Sequence, residues 1–200
     1  MSDYFKINLC DLIDSLGESK VKSILSSFSS PQNEDVEYFI KNKAIEFSKQ
    51  GLAQTHLIIY NSEDETEILG YYSIANKPII VDKKSLSNTL IKKINKFASL
   101  HTKDAYIVQS LLIGQLSKNF KDGNECLMTG EELLDLAMES VQEAQKIIGG
   151  KVVFLECEDK PKLVDFYSKY GFVKFGKRML DRDEVEKVDG KYYLQWIKYG

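Results

Sequence analysis

Residues 106–157 constrain this chain more than any other stretch. Residues 106–116 are a nearly unbroken apolar run, and residues 130–148 place Leu133, Leu134, Ala137, Val141, Ala144 and Ile148 at helical spacing. Residues 151–157 are apolar again after Gly149-Gly150. A continuous apolar run of strand length predicts a strand covered on both faces, and a glycine pair predicts the end of a helix. Parallel neighbours cannot be joined by a tight turn. Strand, helix and strand within roughly 50 residues therefore predict a right-handed βαβ crossover.

Around this unit the pattern is antiparallel. Residues 55–60 and 67–75 read as one strand pair, and residues 172–177 and 191–198 as a closing pair in which Tyr192, Leu194 and Trp196 share a face. Pro161 suits the first turn of a short helix carrying Leu163, Phe166 and Tyr170, with Gly171 placed to end it. Residues 83–100 read as an amphipathic segment, with Leu86, Leu90, Ile94 and Phe97 inward and Lys84, Lys92, Lys93 and Lys96 elsewhere. Asn33 predicts an N-cap for one helix that buries Val36, Phe39, Ile40, Ala44 and Phe47 and runs to Gly51. The first thirty residues also follow helical spacing, interrupted at Gly17. The expected architecture is α/β: one mixed, mostly antiparallel sheet with a central crossover and helices on both faces. Residues 1–33 would be a helical extension and residues 34–200 the domain.

Composition narrows the classes. With 43% hydrophobic residues and a net charge of −3, the chain reads as globular, neither a disordered acidic tail nor a generally basic nucleic-acid binder. No window approaches the ~20 apolar residues of a membrane span, and the start lacks the plan of a secretion signal. Cys10, Cys126 and Cys157 lack zinc-site spacing, and His56 and His101 are too few for a histidine-rich centre. These features predict a reduced, cytoplasmic protein without a metal or membrane partner.

Three local sequences carry a resemblance. Leu163-Val164-Asp165-Phe166-Tyr167-Ser168-Lys169-Tyr170-Gly171-Phe172 is similar to the A-x-x-F-Y-x-K-x-G-F segment of the GNAT superfamily of N-acetyltransferases. Ile68-Leu69-Gly70-Tyr71-Tyr72-Ser73-Ile74 resembles a strand common in those enzymes, and Ile113-Gly114-Gln115-Leu116-Ser117-Lys118 resembles the end of the strand along which pantetheine lies. Through Leu52-Ala53-Gln54-Thr55-His56-Leu57-Ile58 and Leu69-Gly70-Tyr71-Tyr72-Ser73-Ile74, the branch it most resembles includes acetyltransferase toxins that modify the amino group of charged tRNA. The resemblance implies a GNAT-like fold and direct transfer from acetyl-CoA to a primary amine, on a small molecule, a peptide or an aminoacyl group. It leaves open a chain that keeps the fold without activity, because the family's pyrophosphate loop survives here only as Gly130 and the following Leu133-Leu134.

The resemblance puts Tyr167 beside the thioester sulfur, where a phenol can protonate the departing thiolate. The alternative is a core aromatic, with Tyr167 one step off the stripe of Leu163, Phe166 and Tyr170. Glu156 is a candidate base because a buried carboxyl has a raised pKa; Glu158 and Asp159 are its competitors. Backbone groups of Leu116, Ser117 and Lys118 would pair with the pantetheine amides. Met128, Thr129, Gly130 and Glu131 would present helix-start N–H groups to the pyrophosphate, unless Thr129 and Glu132 form a capping box that uses them. Lys160 and Phe166 complete the implied coenzyme contacts. Tyr72 and Ser73 line the acceptor or simply pack. The lysines at 83, 84, 92, 93 and 96 offer an RNA contact or a solvated helix face. The sequence does not assign a role to residues 1–33, for which covering the substrate cleft and mediating a homodimer both stay open.

Overall fold

The computed structural model describes residues 4–61, 66–182 and 190–200. Its elements in chain order are β1 (Tyr4–Asn8), α1 (Leu9–Leu16), α2 (Glu18–Ser26), α3 (Glu34–Asn42), α4 (Ala44–Lys49), β2 (Gln54–Asn61) and β3 (Thr66–Asn76). Then come β4 (Ile79–Asp82), α5 (Asn88–Ile94), β5 (Ala98–Thr102), β6 (Ala105–Val108) and β7 (Leu111–Lys118). The chain closes with α6 (Gly130–Ile148), β8 (Val152–Glu158), α7 (Pro161–Lys169), β9 (Val173–Met179) and β10 (Tyr192–Tyr199). They form two compact units, Met1–Ala75 with Gly114–Ser140 and Asn76–Ile113 with Val141–Gly200.

In the first unit the strand order is β1-β2-β3-β7. β1 and β2 are antiparallel from Tyr4↔Tyr60 to Asn8↔His56, and β2 and β3 from Gln54↔Ile74 to Asn61↔Thr66, with a register shift at Ile58/Ile59. Leu9, Val21, Leu25, Phe28, Phe39 and Ile40 of the helical region pack on Leu57, Ile59, Ile68 and Tyr71 of the strands. The Asn8 side chain caps α1 by accepting from Cys10 N, and Asn33 caps α3 by accepting from Asp35 N and Val36 N, as expected.

Two expectations change here. Residues 4–8 are a sheet strand, not part of a helical extension; five residues are too few to declare a period, and only pairing with β2 defines them. The single helix expected up to Gly51 is divided at Lys43 into α3 and α4.

In the second unit the order is β7-β8-β10-β9, and a separate sheet has the order β4-β6-β5. β7 and β8 are parallel at Leu111↔Val153, Leu112↔Phe154 and Ile113↔Leu155, with α6 between them in sequence. The other pairings are antiparallel. Ile79, Val81, Leu86, Ile94 and Val108 share one core with Val152, Phe154, Phe175 and Ile197.

The apolar run 106–116 is two strands rather than one. At Ser110 the chain turns away from the ladder: the Ser110 hydroxyl donates to Lys77 O (2.6 Å), and the Ser110 carbonyl accepts from Lys77 N (3.0 Å). Residues 83–100 are likewise not one continuous amphipathic segment but a 3-10 turn at Lys83–Ser85, then α5, then the start of β5. Among the described residues no helix is long and apolar enough to cross a membrane.

Candidate functional site

In the second unit, Pro161 opens α7 and Gly171, at φ +79°, follows it. A positive φ costs glycine little, so Gly171 lets the chain reverse into β9. Tyr167 is the buried residue of this helix, with its ring against Phe166 (5.1 Å between centroids), Phe172 (5.9 Å) and Trp196 (6.4 Å). Helical spacing had put Phe166 inward and Tyr167 one step off; the packing against β10 reverses that order. Burial, and then the neighbouring Cys157 thiol, push the Tyr167 phenol well above its ordinary 10.0. Burial likewise pushes Cys157 up to about 11. Among the described residues none exchanges a hydrogen bond with the Tyr167 hydroxyl. The ring is thus fixed while its proton is retained and uncommitted.

The carboxylates differ from expectation. Glu156 accepts from Arg178 Nε (2.7 Å) on one oxygen and from Gln195 Nε2 (2.9 Å) on the other. Both oxygens are thus engaged by side-chain donors, so Glu156 is a paired group rather than an isolated buried acid. Glu158, 4% exposed, pairs with Lys160 Nζ at 2.7 Å, which gives Lys160 a protein partner in place of an expected phosphate. Asp159 accepts from the Tyr192 hydroxyl at 2.7 Å. Phe166 is half-buried and touches Tyr167 and Tyr170.

The first unit holds the other predicted residues. Leu116, Ser117 and Lys118 end β7; Ser117 is buried and donates to Ser30 Oγ (3.2 Å), and Lys118 Nζ donates to Glu125 O (2.7 Å). At the start of α6 the capping box is formed: Thr129 N and Oγ1 donate to Glu132 Oε2 (2.7 and 2.9 Å), and Glu132 N donates to Thr129 Oγ1 (3.1 Å). These bonds lower the Glu132 pKa. The box engages the Thr129 and Glu132 amides and leaves the Gly130 amide outside it. Glu131 and Glu132 add negative charge to that first turn, and the Met128 side chain is buried beneath it. Tyr72 and Ser73 pack rather than line a surface, since the Tyr72 hydroxyl meets Ser140 Oγ at 2.7 Å and Ser73 meets Thr55 at 3.1 Å.

Two residues of this unit escaped sequence reasoning. Asn119 is fully buried: its Oδ1 accepts from Ser29 N (2.9 Å) and Lys121 N (3.1 Å), while its Nδ2 donates to Ile68 O (2.8 Å). It pins the turn after β7 to β3 and to the loop before α3. A lone asparagine in a polar loop gives no signal of this. Gly70 could have been suspected from its place inside an apolar strand. A Cβ there would lie 2.9 Å from Ser117 O and 3.3 Å from Leu133 Cδ2, so glycine lets β3, β7 and α6 approach.

The sequence matches no protein-family model and no curated protein. Solved structures do match. A tyrosine-to-phenylalanine variant of KacT is 17% identical over 98% of this chain and 95% of that one, with a TM-score of 0.64. An AtaT variant toxin bound to the C-terminus of the antitoxin AtaR and acetyl-CoA is 14% identical over 98% and 93%, with a TM-score of 0.58. AtaT complexed with acetyl-methionyl-tRNAfMet is 17% identical over 96% and 94%, with a TM-score of 0.61. The chain has a GNAT-type fold. At these identities the likeness concerns the path of the backbone, with its mostly antiparallel sheet and its β7-α6-β8 connection.

Proposed function

We propose that this chain is an acetyl-CoA-dependent N-acetyltransferase acting on the amino group of an aminoacyl-tRNA. The observation that carries the reading is Tyr167: a phenol with a fixed ring, a retained proton and an uncommitted hydroxyl, on the helix before the closing strand pair of a GNAT-type fold. The likeness to AtaT solved with acetyl-CoA and with acetyl-methionyl-tRNAfMet supports both the donor and the acceptor.

Acetyl-CoA supplies the activated acetyl group. Direct transfer forms a C–N bond from the amine to the carbonyl carbon and breaks the C–S bond. Tyr167 gives its proton to the departing sulfur and recovers one from solvent, while the amine loses a proton to water. Glu156 is assigned the pairing of Arg178 instead of proton abstraction, because both its oxygens already accept. Backbone groups of Leu116, Ser117 and Lys118 are proposed to meet the pantetheine amides, with Phe166 beside Tyr167. The helix start at residues 128–131 takes the pyrophosphate on the Gly130 amide, against the carboxylates of Glu131 and Glu132. Lys160 is open to a coenzyme contact only by leaving Glu158.

The test is acetyl transfer from labelled acetyl-CoA to methionyl-tRNA. Tyr167→Phe is expected to lower kcat by about 10²–10⁴-fold and leave coenzyme affinity within about threefold, since only a proton donor is removed. Wild-type rates in Tyr167→Phe would overturn the general-acid role. A second reading, a GNAT-type chain that no longer binds the coenzyme, is favoured by the formed capping box. Calorimetric titration showing no heat at millimolar acetyl-CoA selects it.

A further inference from the structure

Residues 76–113 carry seven lysines, two aspartates and neither arginine nor glutamate, a surplus of five positive charges. The whole chain carries −3, so all other residues together carry −8. This segment is not a loose basic tail. Its sheet β4-β6-β5 and helix α5 are anchored by Ile79, Val81, Leu86, Ile94 and Val108 in the core of the second unit. Lys83 is used locally, donating to Lys103 O (2.6 Å) with its ammonium over the Tyr106 ring (4.7 Å), and Lys93 lies over Tyr199 (5.6 Å).

The others are different. Lys77, Lys84, Lys92, Lys96 and Lys103 are exposed, and among the described residues no carboxylate pairs with any of them. The aspartates do not neutralise them through side-chain contact: Asp82 accepts from the Lys84 backbone N–H at the cap of the 3-10 turn. A helix dipole explains Lys92, in the last turn of α5. It explains neither Lys77 nor Lys84 nor Lys103, which lie on strand-flanking turns. Like charges gathered on one folded segment repel one another, and a polyanion relieves that repulsion while releasing its own counterions.

We infer that this lysine-rich segment is the surface that takes the RNA backbone of the acceptor, with Lys77, Lys84, Lys92, Lys96 and Lys103 as phosphate contacts. The inference rests on the aminoacyl-tRNA reading above and adds the place where the polyanion is held. These residues position the substrate and touch no reacting atom.

The experiment compares wild type with Lys84→Gln/Lys92→Gln/Lys96→Gln/Lys103→Gln and with a control, Lys20→Gln/Lys22→Gln, on α2. Binding of fluorescently labelled, uncharged tRNA is measured from 0.05 to 0.3 M salt, with thermal melting to verify folding and calorimetry to verify coenzyme binding. Each lost phosphate contact removes roughly 0.9 from the slope of log affinity against log salt, or about tenfold in affinity near 0.1 M salt. The fourfold variant is expected to bind at least ~100-fold more weakly with a slope smaller by about 2–4, while the control and coenzyme binding stay unchanged. Wild type that binds tRNA and a fourfold variant that binds it equally, with the same slope, overturn the inference and leave the acceptor reading standing. Wild type that binds no tRNA removes both. Lysine-dependent binding to anionic lipid vesicles without tRNA binding assigns the surface to a membrane and also overturns it.

Discussion

Gly70→Ala isolates a purely steric requirement. Gly70 does not sit at positive φ, so alanine meets no backbone strain, and by stiffening the unfolded chain it contributes about 0.4–1 kcal/mol of stability. Against this, the new methyl lies 2.9 Å from Ser117 O and 3.3 and 3.4 Å from the two Leu133 methyls. The leucine can turn, but a carbonyl of the adjacent strand cannot retreat without moving β7. Overpacking of this kind costs about 1–3 kcal/mol, so the net expectation is a loss of about 1–2 kcal/mol. For a chain of this size that lowers Tm by about 2–8 °C. Urea unfolding with far-UV circular dichroism measures it. Gly70→Ala/Leu133→Val separates the two obstacles: since the carbonyl remains, trimming the leucine is expected to recover none of the loss. Because Ser117 O belongs to the strand end proposed to meet pantetheine, KM for acetyl-CoA should rise in Gly70→Ala. A Gly70→Ala protein as stable as wild type would refute the reasoning.

Three further outcomes follow from other contacts. Glu132→Gln removes a carboxylate from the α6 start, so coenzyme affinity is expected to rise about two- to tenfold by calorimetry, with at most about 1 kcal/mol lost from the cap; weaker binding would remove the pyrophosphate from this helix end. Glu156→Gln removes the charge from the Arg178 Nε contact while Asp181 still holds the guanidinium at 3.2 Å, and should cost about 0.5–1.5 kcal/mol in urea unfolding, with kcat within about threefold of wild type; a collapse of kcat in a folded variant restores Glu156 as the base. Tyr71, Tyr167 and Cys157 all have raised values, so each favours the folded state fully below its unfolded value (10.0, 10.0 and 9.0) and loses that contribution as pH rises through the folded one. Alkaline titration above pH 9.0 should therefore show the last part of the tyrosinate absorbance, from the two buried phenols among the eleven tyrosines, appearing together with the loss of native Trp196 fluorescence; ionisation of Tyr71 and Tyr167 near 10.0 in a native protein contradicts it.

What the sequence made legible is local and periodic. The α6 period, the Gly149-Gly150 stop, the Asn33 cap and the α7 segment with its Gly171 end all stand where the residues put them. β1 was hidden because five residues beside a helix acquire meaning only from β2, fifty positions away in the chain. The break between β6 and β7 was hidden because Gln109-Ser110 is a mild interruption, and the bonds to Lys77 that enforce the turn are not local. At the candidate site, Tyr167 was visible through its motif, but its burial ahead of Phe166 depended on Trp196. Glu156 looked like a lone acid because its partners, Arg178 and Gln195, arrive from two later strands.

The Asn119 side chain satisfies three different stretches of backbone at once, and this limits how the chain can vary in length. One residue added between Lys118 and Asn119 would carry the amide out of reach of Ser29 and Ile68, and one added between Asn119 and Lys121 would break its bond to Lys121 N. Directly after Lys121, Asp122 and Gly123 adopt left-handed backbone, with open space around the glycine. The approach to α6 is therefore expected to accept added length at 122–123, downstream of the asparagine, and insertions engineered for labelling or fusion belong there.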